Sequence, residues 1–477
     1  MNTAQRIVKN TFSLLFSGII AQLIGFIGIV YLARILGPGD FGKINFAIAV
    51  TTYFALVANL GLPLLGTREI ARERDKVKDY LGSILPLRFC LALLGFGLLV
   101  LLTFFLNKPS EIKHLILLYG LGFIPTVLLI DWAFQGIEKM EYIGFGHILS
   151  RGVNLGLILW FIKSPEQLLL IPCFGIAGSL LAAGVLISIF VKSFGKPKLK
   201  FDSISWRNLL REALPLGISI IMIQVIYNID TVMLGFMRSD AEIGYYNASY
   251  KIILPLIMIG AVYFDAIFPV ISNYYKNSLD SLKKLQSYTA KLIVTIAFPL
   301  AIGGTILGRP IMNLLYGPKY NEGIIAFQIL IWVAALIYLN MIYARGMWAC
   351  NKQHAYLRIV IAQAVVNILL NFILIPKFGI IGAAASTVSA ELLGFFFYYR
   401  EFNKIVAVPI HNHILKPLLA VIPMALVLLW GLNGLNLNLF LLICTGIVVY
   451  FVFLLLMRGV NKEEMELIYS VIRANRK

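Results

Sequence analysis

Charged residues are scarce in this chain, making up 13% of its 477 positions against 60% hydrophobic. A soluble globular domain carries about 25% charged residues and no long apolar runs, so the deficit excludes that class. Cysteine is rarer still. Cys90, Cys173, Cys350 and Cys444 stand far apart, mostly in apolar stretches, with neither a disulfide framework nor zinc spacing. They read as small buried apolar fillers. His411 and His413 form a two-residue cluster without a carboxylate beside them, too few ligands for zinc, and the other histidines are scattered, so no Ser/His/Asp arrangement can be built. Acidic residues number 23 against 41 basic ones, a formal net charge of +18. Such an excess points to nucleic acid when it forms a patch on a soluble fold. Here the cations collect between apolar runs, and no nucleic acid is expected.

Alternating strands of ~10 residues, the signature of a spanning barrel, are also missing. What is there is a series of apolar runs, each roughly 20 residues long and able to cross ~30 Å of hydrocarbon as a helix. The spacing predicts about fourteen spans. Six fall at 12–33, 43–63, 81–106, 114–134, 147–163 and 168–191. Six more fall at 213–236, 250–272, 292–308, 324–346, 359–375 and 383–399, with a final pair at 418–434 and 439–457. The first run is too long for a signal peptide and reads as a retained helix. The expected fold class is an all-α integral membrane protein.

Loop charge sets the orientation. Arg68, Arg72, Arg74, Lys76 and Lys78 follow the second span, Lys192 to Arg211 follow the sixth, and Arg458, Lys462, Arg473, Arg476 and Lys477 close the chain. With Arg6 and Lys9, that side holds roughly 30 Lys and Arg against roughly 10 opposite, which predicts cytoplasmic termini and a cytoplasmic (inner) membrane location. Trp206, Leu209 and Leu210 among the cations of 192–211 suggest a short amphipathic helix on anionic lipid.

The chain also repeats itself. Ile171-Pro-Cys-Phe-Gly-Ile-Ala-Gly178 and Ile375-Pro-Lys-Phe-Gly-Ile-Ile-Gly382 agree at six of eight positions, and Gln22, Gly42 and Asn45 recur as Gln224, Gly244 and Asn247. Self-similarity at one offset signals duplication. Six spans separate the copies, so direction is preserved and the halves are parallel repeats about an axis along the membrane normal. The expected domains are a six-helix bundle over 1–200, a second over 201–405, and two further helices with a cytoplasmic tail over 406–477.

Familiar motifs fail on context. Gly37-Pro-Gly-Asp-Phe-Gly42 fits the dinucleotide pattern but follows an apolar helix rather than a strand, and the P-loop reading has Ile44 where a magnesium-holding Ser or Thr is required. It reads as a Gly/Pro turn between the first two spans. Asn247-Ala-Ser249 matches a glycosylation acceptor, a tripeptide common by chance.

Charges inside the spans are more informative, because an ionisable group at membrane depth costs about 2.5–3.5 kcal/mol even on an insertion scale. They are Arg88, Asp131, Asp230, Lys251, Asp265, Arg345 and Glu391, with Arg34 at the outer end of the first span. Gln22, Asn59, Asn154, Gln224, Asn228, Asn367 and Asn371 accompany them. Snorkelling, local pairing and internal ion pairs are the bland explanations. Together the polar groups of spans one, two, seven and eight suggest a wet cavity between the halves, where parallel-repeat transporters place substrate. Seven prolines within or near the spans, Pro86 and Pro125 among them, allow bends.

Leu32-Ala-Arg-Ile-Leu-Gly-Pro-Gly-Asp-Phe-Gly42, Gly66-Thr-Arg-Glu-Ile-Ala-Arg72, Asp131-Trp-Ala-Phe-Gln-Gly-Ile-Glu-Lys-Met140 and Gly244-Tyr-Tyr-Asn-Ala-Ser-Tyr-Lys-Ile252 resemble the polysaccharide-exporter family. These are flippases for lipid-linked oligosaccharides such as O-antigen units, within the multidrug/oligosaccharidyl-lipid/polysaccharide superfamily. The resemblance covers essentially the whole chain. It implies a V-shaped pair of bundles around a central cavity, working by alternating access, with a polyprenyl-pyrophosphate-linked oligosaccharide moved from the inner to the outer leaflet. Arg34, Arg88, Lys251 and Arg345 are then candidates for a cationic lining that meets pyrophosphate, with Gln22, Gln224 and Asn228 as polar partners. Asp131, Asp230, Asp265 and Glu391 are candidates for coupling to a proton or sodium gradient. No cofactor, metal or catalytic residue is expected. Membrane lipids and the polymerase or glycosyltransferases of polysaccharide assembly are the implied partners. A cation-coupled drug antiporter of the sister family and a non-transporting scaffold for glycan-assembly enzymes remain as alternatives.

Overall fold

The computed structural model describes residues 3–434 and 437–459. The tail cations Lys462, Arg473, Arg476 and Lys477 lie outside the described residues, as do the side chains of Arg6 and Lys9. The described residues form α-helices joined by short turns and 3₁₀ segments, with no strand among them. In chain order the helices are α1 (Thr3–Asn59), α2 (Leu62–Arg72), α3 (Val77–Phe105), α4 (Ser110–Leu121), α5 (Phe123–Leu128), α6 (Asp131–Gly136), α7 (Met140–Phe161) and α8 (Leu170–Phe194). They continue as α9 (Ser203–Met237), α10 (Asp240–Asn277), α11 (Leu279–Ile306), α12 (Gly308–Tyr316), α13 (Ile324–Ala349), α14 (Gln353–Asn403), α15 (His411–Asn433) and α16 (Leu439–Leu456).

Among the described residues, ten helical stretches are long and apolar enough to cross a membrane. Two of these hold a pair of expected spans each, joined at a glycine. In α1 the break is Gly37 (φ 75°, ψ 175°), followed by Pro38. Only glycine takes that positive φ freely, and a proline that opens a helix removes an N–H that had no partner anyway. In α14 the break is Gly379 (φ 56°, ψ −130°). The fifth and seventh expected spans fall on α7 and α9. Surfaces such as Phe104, Trp160 and Leu456, exposed by 78%, 77% and 72%, are stable only against hydrocarbon. The protein is a multi-pass, all-helical membrane protein.

Three local expectations change. The run at 114–134 is not one helix: it is interrupted at Gly122 and again at Leu129 and Ile130, which have extended and intermediate backbone angles. Hydropathy does not register the second interruption, because the interrupting residues are themselves apolar. The basic linker is not a separate surface helix. Its 195–202 portion is irregular, and Trp206, Leu209 and Leu210 belong to the start of α9, packed on a core of Leu81, Ile84, Trp132 and Phe190. Lys200 pairs there with Asp79 at 2.8 Å, which holds that carboxyl below its ordinary range. Of the four free cysteines only Cys350 is buried, whereas Cys90 and Cys444 are exposed on apolar helix faces.

Packing divides the chain into two compact units, Met1–Ala248 with Ile368–Ile380, and Ser249–Asn367 with Ile381–Lys477. Within the first, the turn after Gly37 meets the start of α10 so closely that a Cβ on Gly42 would lie 1.8 Å from the Asp240 carbonyl oxygen. A Cβ on Gly244 would lie 2.0 Å from the Pro38 carbonyl oxygen. Within the second, Leu307, Met424, Leu428, Leu442 and Tyr450 form a core that fixes α15 and α16 to α11. The Tyr450 hydroxyl donates to the Thr295 carbonyl at 2.7 Å.

Candidate functional site

Membrane-depth polar groups gather in small clusters inside each unit, and each cluster is explained by what it neutralises. Arg88 of α3 is 2% exposed. It donates from Nη1 to the Val127 carbonyl at 3.2 Å and from Nη2 to the Thr126 carbonyl at 3.1 Å and Asn59 Oδ1 at 2.8 Å. Those two carbonyls belong to the last turn of α5, where the break at 129–130 removes their helical donors. A cation at a helix C-terminus satisfies orphan carbonyls and meets the negative end of the dipole. Arg238 repeats the device at the Gly379 break of α14. Its Nε and Nη2 donate to the Ile375 carbonyl at 2.9 and 2.8 Å, and Nη2 also reaches the Pro376 carbonyl at 2.8 Å.

Asp230 of α9 is 4% exposed. Tyr246 OH donates to its Oδ2 and Asn371 Nδ2 to its Oδ1, both at 2.6 Å. Two residues earlier, Asn228 Nδ2 donates to Gln224 Oε1 at 3.2 Å and to the Gln224 carbonyl at 3.1 Å. These three expected residues therefore share one stretch of α9. Gln22 is half-buried and Arg34 exposed on α1. Asp131, in the first turn of α6, contacts His147 Nε2 at 3.0 Å, a local pair of the kind expected near a helix end.

The second unit holds two further clusters. Arg345 Nη2 lies 3.0 Å from Asp265 Oδ1, with the guanidinium 5.4 Å above the Trp348 ring. The Asp265 side chain is 61% exposed. Glu391 of α14 accepts from Asn340 Nδ2 at 2.6 Å and Gln363 Nε2 at 3.4 Å. Tyr398 OH donates onward to Gln363 Oε1 at 3.1 Å. Both of these donors are neutral amides, and both reach the same carboxylate oxygen, Oε2. Lys251 is half-buried on α10.

Several partners were not legible beforehand. Asn340, Gln363, Tyr398, His147 and Arg238 received no role from the sequence, although Gln363, Asn367 and Asn371 recur every four residues along α14, a polar row on an apolar helix. Among the described residues no group of His, Cys, Asp and Glu could hold a metal. Asn247 is 5% exposed and donates to the Ile243 carbonyl, so the acceptor-like tripeptide is structural.

A family model for polysaccharide biosynthesis proteins matches residues 7–275, more than half of the chain. The chain belongs to that family. A second model, MatE, matches residues 215–373. Among relatives of this polysaccharide biosynthesis protein, one from Escherichia coli K12 bearing the name of an O-antigen transporter is 27% identical over 378 residues. That alignment spans 76% of this chain and 88% of the relative. The fold resembles that of the lipid II flippase MurJ in an inward closed conformation, with TM-score 0.74, 18% identity, and coverage of 92% and 97% of the two chains. It also resembles an inward-facing multidrug resistance MATE family transporter, with TM-score 0.67, 14% identity, and coverage of 80% and 95%. The helical architecture is thus one found in transporters.

Proposed function

We propose that this protein is a flippase for lipid-linked oligosaccharide, moving a polyprenyl-pyrophosphate-linked glycan from the inner to the outer leaflet by alternating access. The observation that carries the reading is membership of the polysaccharide biosynthesis family over residues 7–275, joined to the similarity with an O-antigen transporter. The physical chemistry agrees with it. Sugars and pyrophosphate cannot enter hydrocarbon unaided, so the path for the head must be polar while the lipid tail stays in the bilayer. Arg345 and Lys251 are the proposed contacts for the phosphate oxygens, since arginine's fork matches them and lysine supplies a point charge. Arg34, Gln22, Gln224 and Asn228 are proposed as further polar contacts for the head. Asp230 and Glu391 are the proposed coupling groups for a proton or sodium gradient.

In this reading the cation-rich loops and both termini face the cytoplasm, in the inner membrane, and the chain works beside the polymerase and glycosyltransferases of surface-polysaccharide assembly. Residues 1–200 and 201–405 are proposed to be duplicated halves, with two additional helices and a cytoplasmic tail over 406–477.

The test is a leaflet-exposure assay in reconstituted vesicles, using fluorescent polyprenyl-pyrophosphate oligosaccharide and a cationic dye as control. Protein-dependent exposure of the glycolipid with the dye unmoved is the expected result. Dye movement without glycolipid movement would assign the chain to drug export instead. In the same vesicles Glu391→Gln, which keeps an amide in place of the carboxyl, is expected to remove the response to an imposed gradient while leaving slow exchange. An unchanged gradient response excludes Glu391 as the coupling group.

A further inference from the structure

We propose that a groove between α3 and the first turns of α9, in the first unit, is a docking site for an anionic phospholipid of the surrounding bilayer. The groove has a volume of about 580 Å³ and is lined by Leu87 of α3 with Trp206, Arg207, Leu210, Arg211 and Leu214 of α9. Two guanidinium groups thus stand beside an apolar floor in one recess.

The sequence builds this wall by helical spacing. Trp206, Leu210 and Leu214 recur every four residues, and Arg207 and Arg211 form the neighbouring row at the same interval. Ile218 continues the apolar row, and both it and Leu214 are exposed. One side of α9 therefore turns from charged to apolar over roughly 16 Å, at about 1.5 Å per residue. The charged end is the one beside the irregular 195–202 segment. Phe201 and Ile204 stand there too, exposed by 73% and 74%, and the Phe201 ring lies 6.0 Å from that of Trp206. Exposed aromatic and aliphatic side chains interleaved with arginines suit the boundary between lipid headgroups and acyl chains.

The acids that flank the arginines in sequence have other partners. Asp202 caps α9, its two carboxylate oxygens accepting from the Ile204 and Ser205 N–H groups at 3.1 and 3.2 Å. Glu212 meets Arg68 Nη2 at 2.7 Å. Arg207 and Arg211 are exposed, and the planar fork of each matches the oxygens of a phosphate. Charge complementarity selects an anionic head at this end of the groove. The apolar row toward Ile218 selects a lipid over free phosphate, which would gain nothing from Leu214. A glycerophospholipid presents its phosphate and then its acyl chains in that same order along the helix.

The full-length protein, purified in detergent and stripped of lipid, would be offered phosphatidylglycerol or phosphatidylcholine in equal amounts, with retained lipid read by native mass spectrometry. Phosphatidylglycerol is expected to be retained over phosphatidylcholine by on the order of tenfold, since each arginine near the head adds to the attraction. The variant R207Q/R211Q is expected to lose most of that preference. K283Q/K284Q, which removes the same charge from exposed positions on α11, is expected to keep it. A preference unchanged in R207Q/R211Q, or lost equally in both pairs, overturns the site. Inorganic phosphate that displaces the retained lipid at comparable concentration also overturns it, in favour of a free anion. A second measurement needs no arginine variant. Phosphatidylglycerol brominated on its acyl chains should quench Trp206 several-fold more than brominated phosphatidylcholine, read as the fluorescence difference between wild type and Trp206→Phe. Equal quenching by the two lipids overturns the site.

Discussion

Arg88 and Arg238 each donate to two backbone carbonyls that a helix break has left without partners. This makes Arg88 a structural cation first, whatever else it meets during transport. Replacing it with leucine leaves the Thr126 and Val127 carbonyls and Asn59 without their donor, and should cost roughly 2–5 kcal/mol. The check is the unfolding midpoint of purified Arg88→Leu in detergent. Arg88→Lys should recover only part of the loss, because a single ammonium lacks the planar fork that serves three acceptors. The cost of charge at membrane depth made Arg88, Asp230 and Glu391 legible in the sequence. Which polar companion meets which charge was not, because the contacts span large separations: Asn59 lies 29 residues from Arg88, and Asn371 lies 141 from Asp230. No local pattern encodes such a pairing.

Among the elements, the two Ile-Pro-x-Phe-Gly-Ile copies fold differently. The first opens α8, and its Gly175 is an ordinary helical residue with open space where a Cβ would stand. The second contains the break of α14, and a Cβ on Gly379 would lie 2.3 Å from Glu242 Oε2. Gly379→Ala should therefore destabilise by about 1–3 kcal/mol, whereas Gly175→Ala should be neutral or gain up to about 1 kcal/mol. Thermal unfolding of the two variants side by side tests the pair, and equal effects would contradict the difference in backbone. A repeat in sequence located a shared landmark here, but its turn was made elsewhere in the first copy, around Ser164 and Pro165. The glycine turn after the first span was readable, because Gly37-Pro38 satisfies a break and a restart in consecutive residues. The interruption at 129–130 was not, since apolar residues fill it.

For the molecule as a whole, runs of apolar residues located the spanning segments, though not the breaks within 114–134, because a spanning helix must be apolar over its length whatever it packs against. How the helices group into compact units depends on side-chain shape and was not written in those runs. Orientation is testable directly. Single cysteines introduced at Asp75 and Lys196, in a background where the native cysteines are serine, should react with an impermeant maleimide only from the cytoplasmic face. Those at Glu166 and Asn321 should react only from the opposite face, and labelling from the same side would refute the assigned topology. One contact ties this scale to the repeat. Gly42 meets residue 240 and Gly244 meets residue 38, so moving each member by 202 positions along the sequence maps the contact onto itself. Two identical subunits touching across a two-fold axis make such a self-complementary interface. A side chain added to Gly42 or Gly244 would therefore press on the backbone of the facing segment, in both cases within the same short stretch of contact.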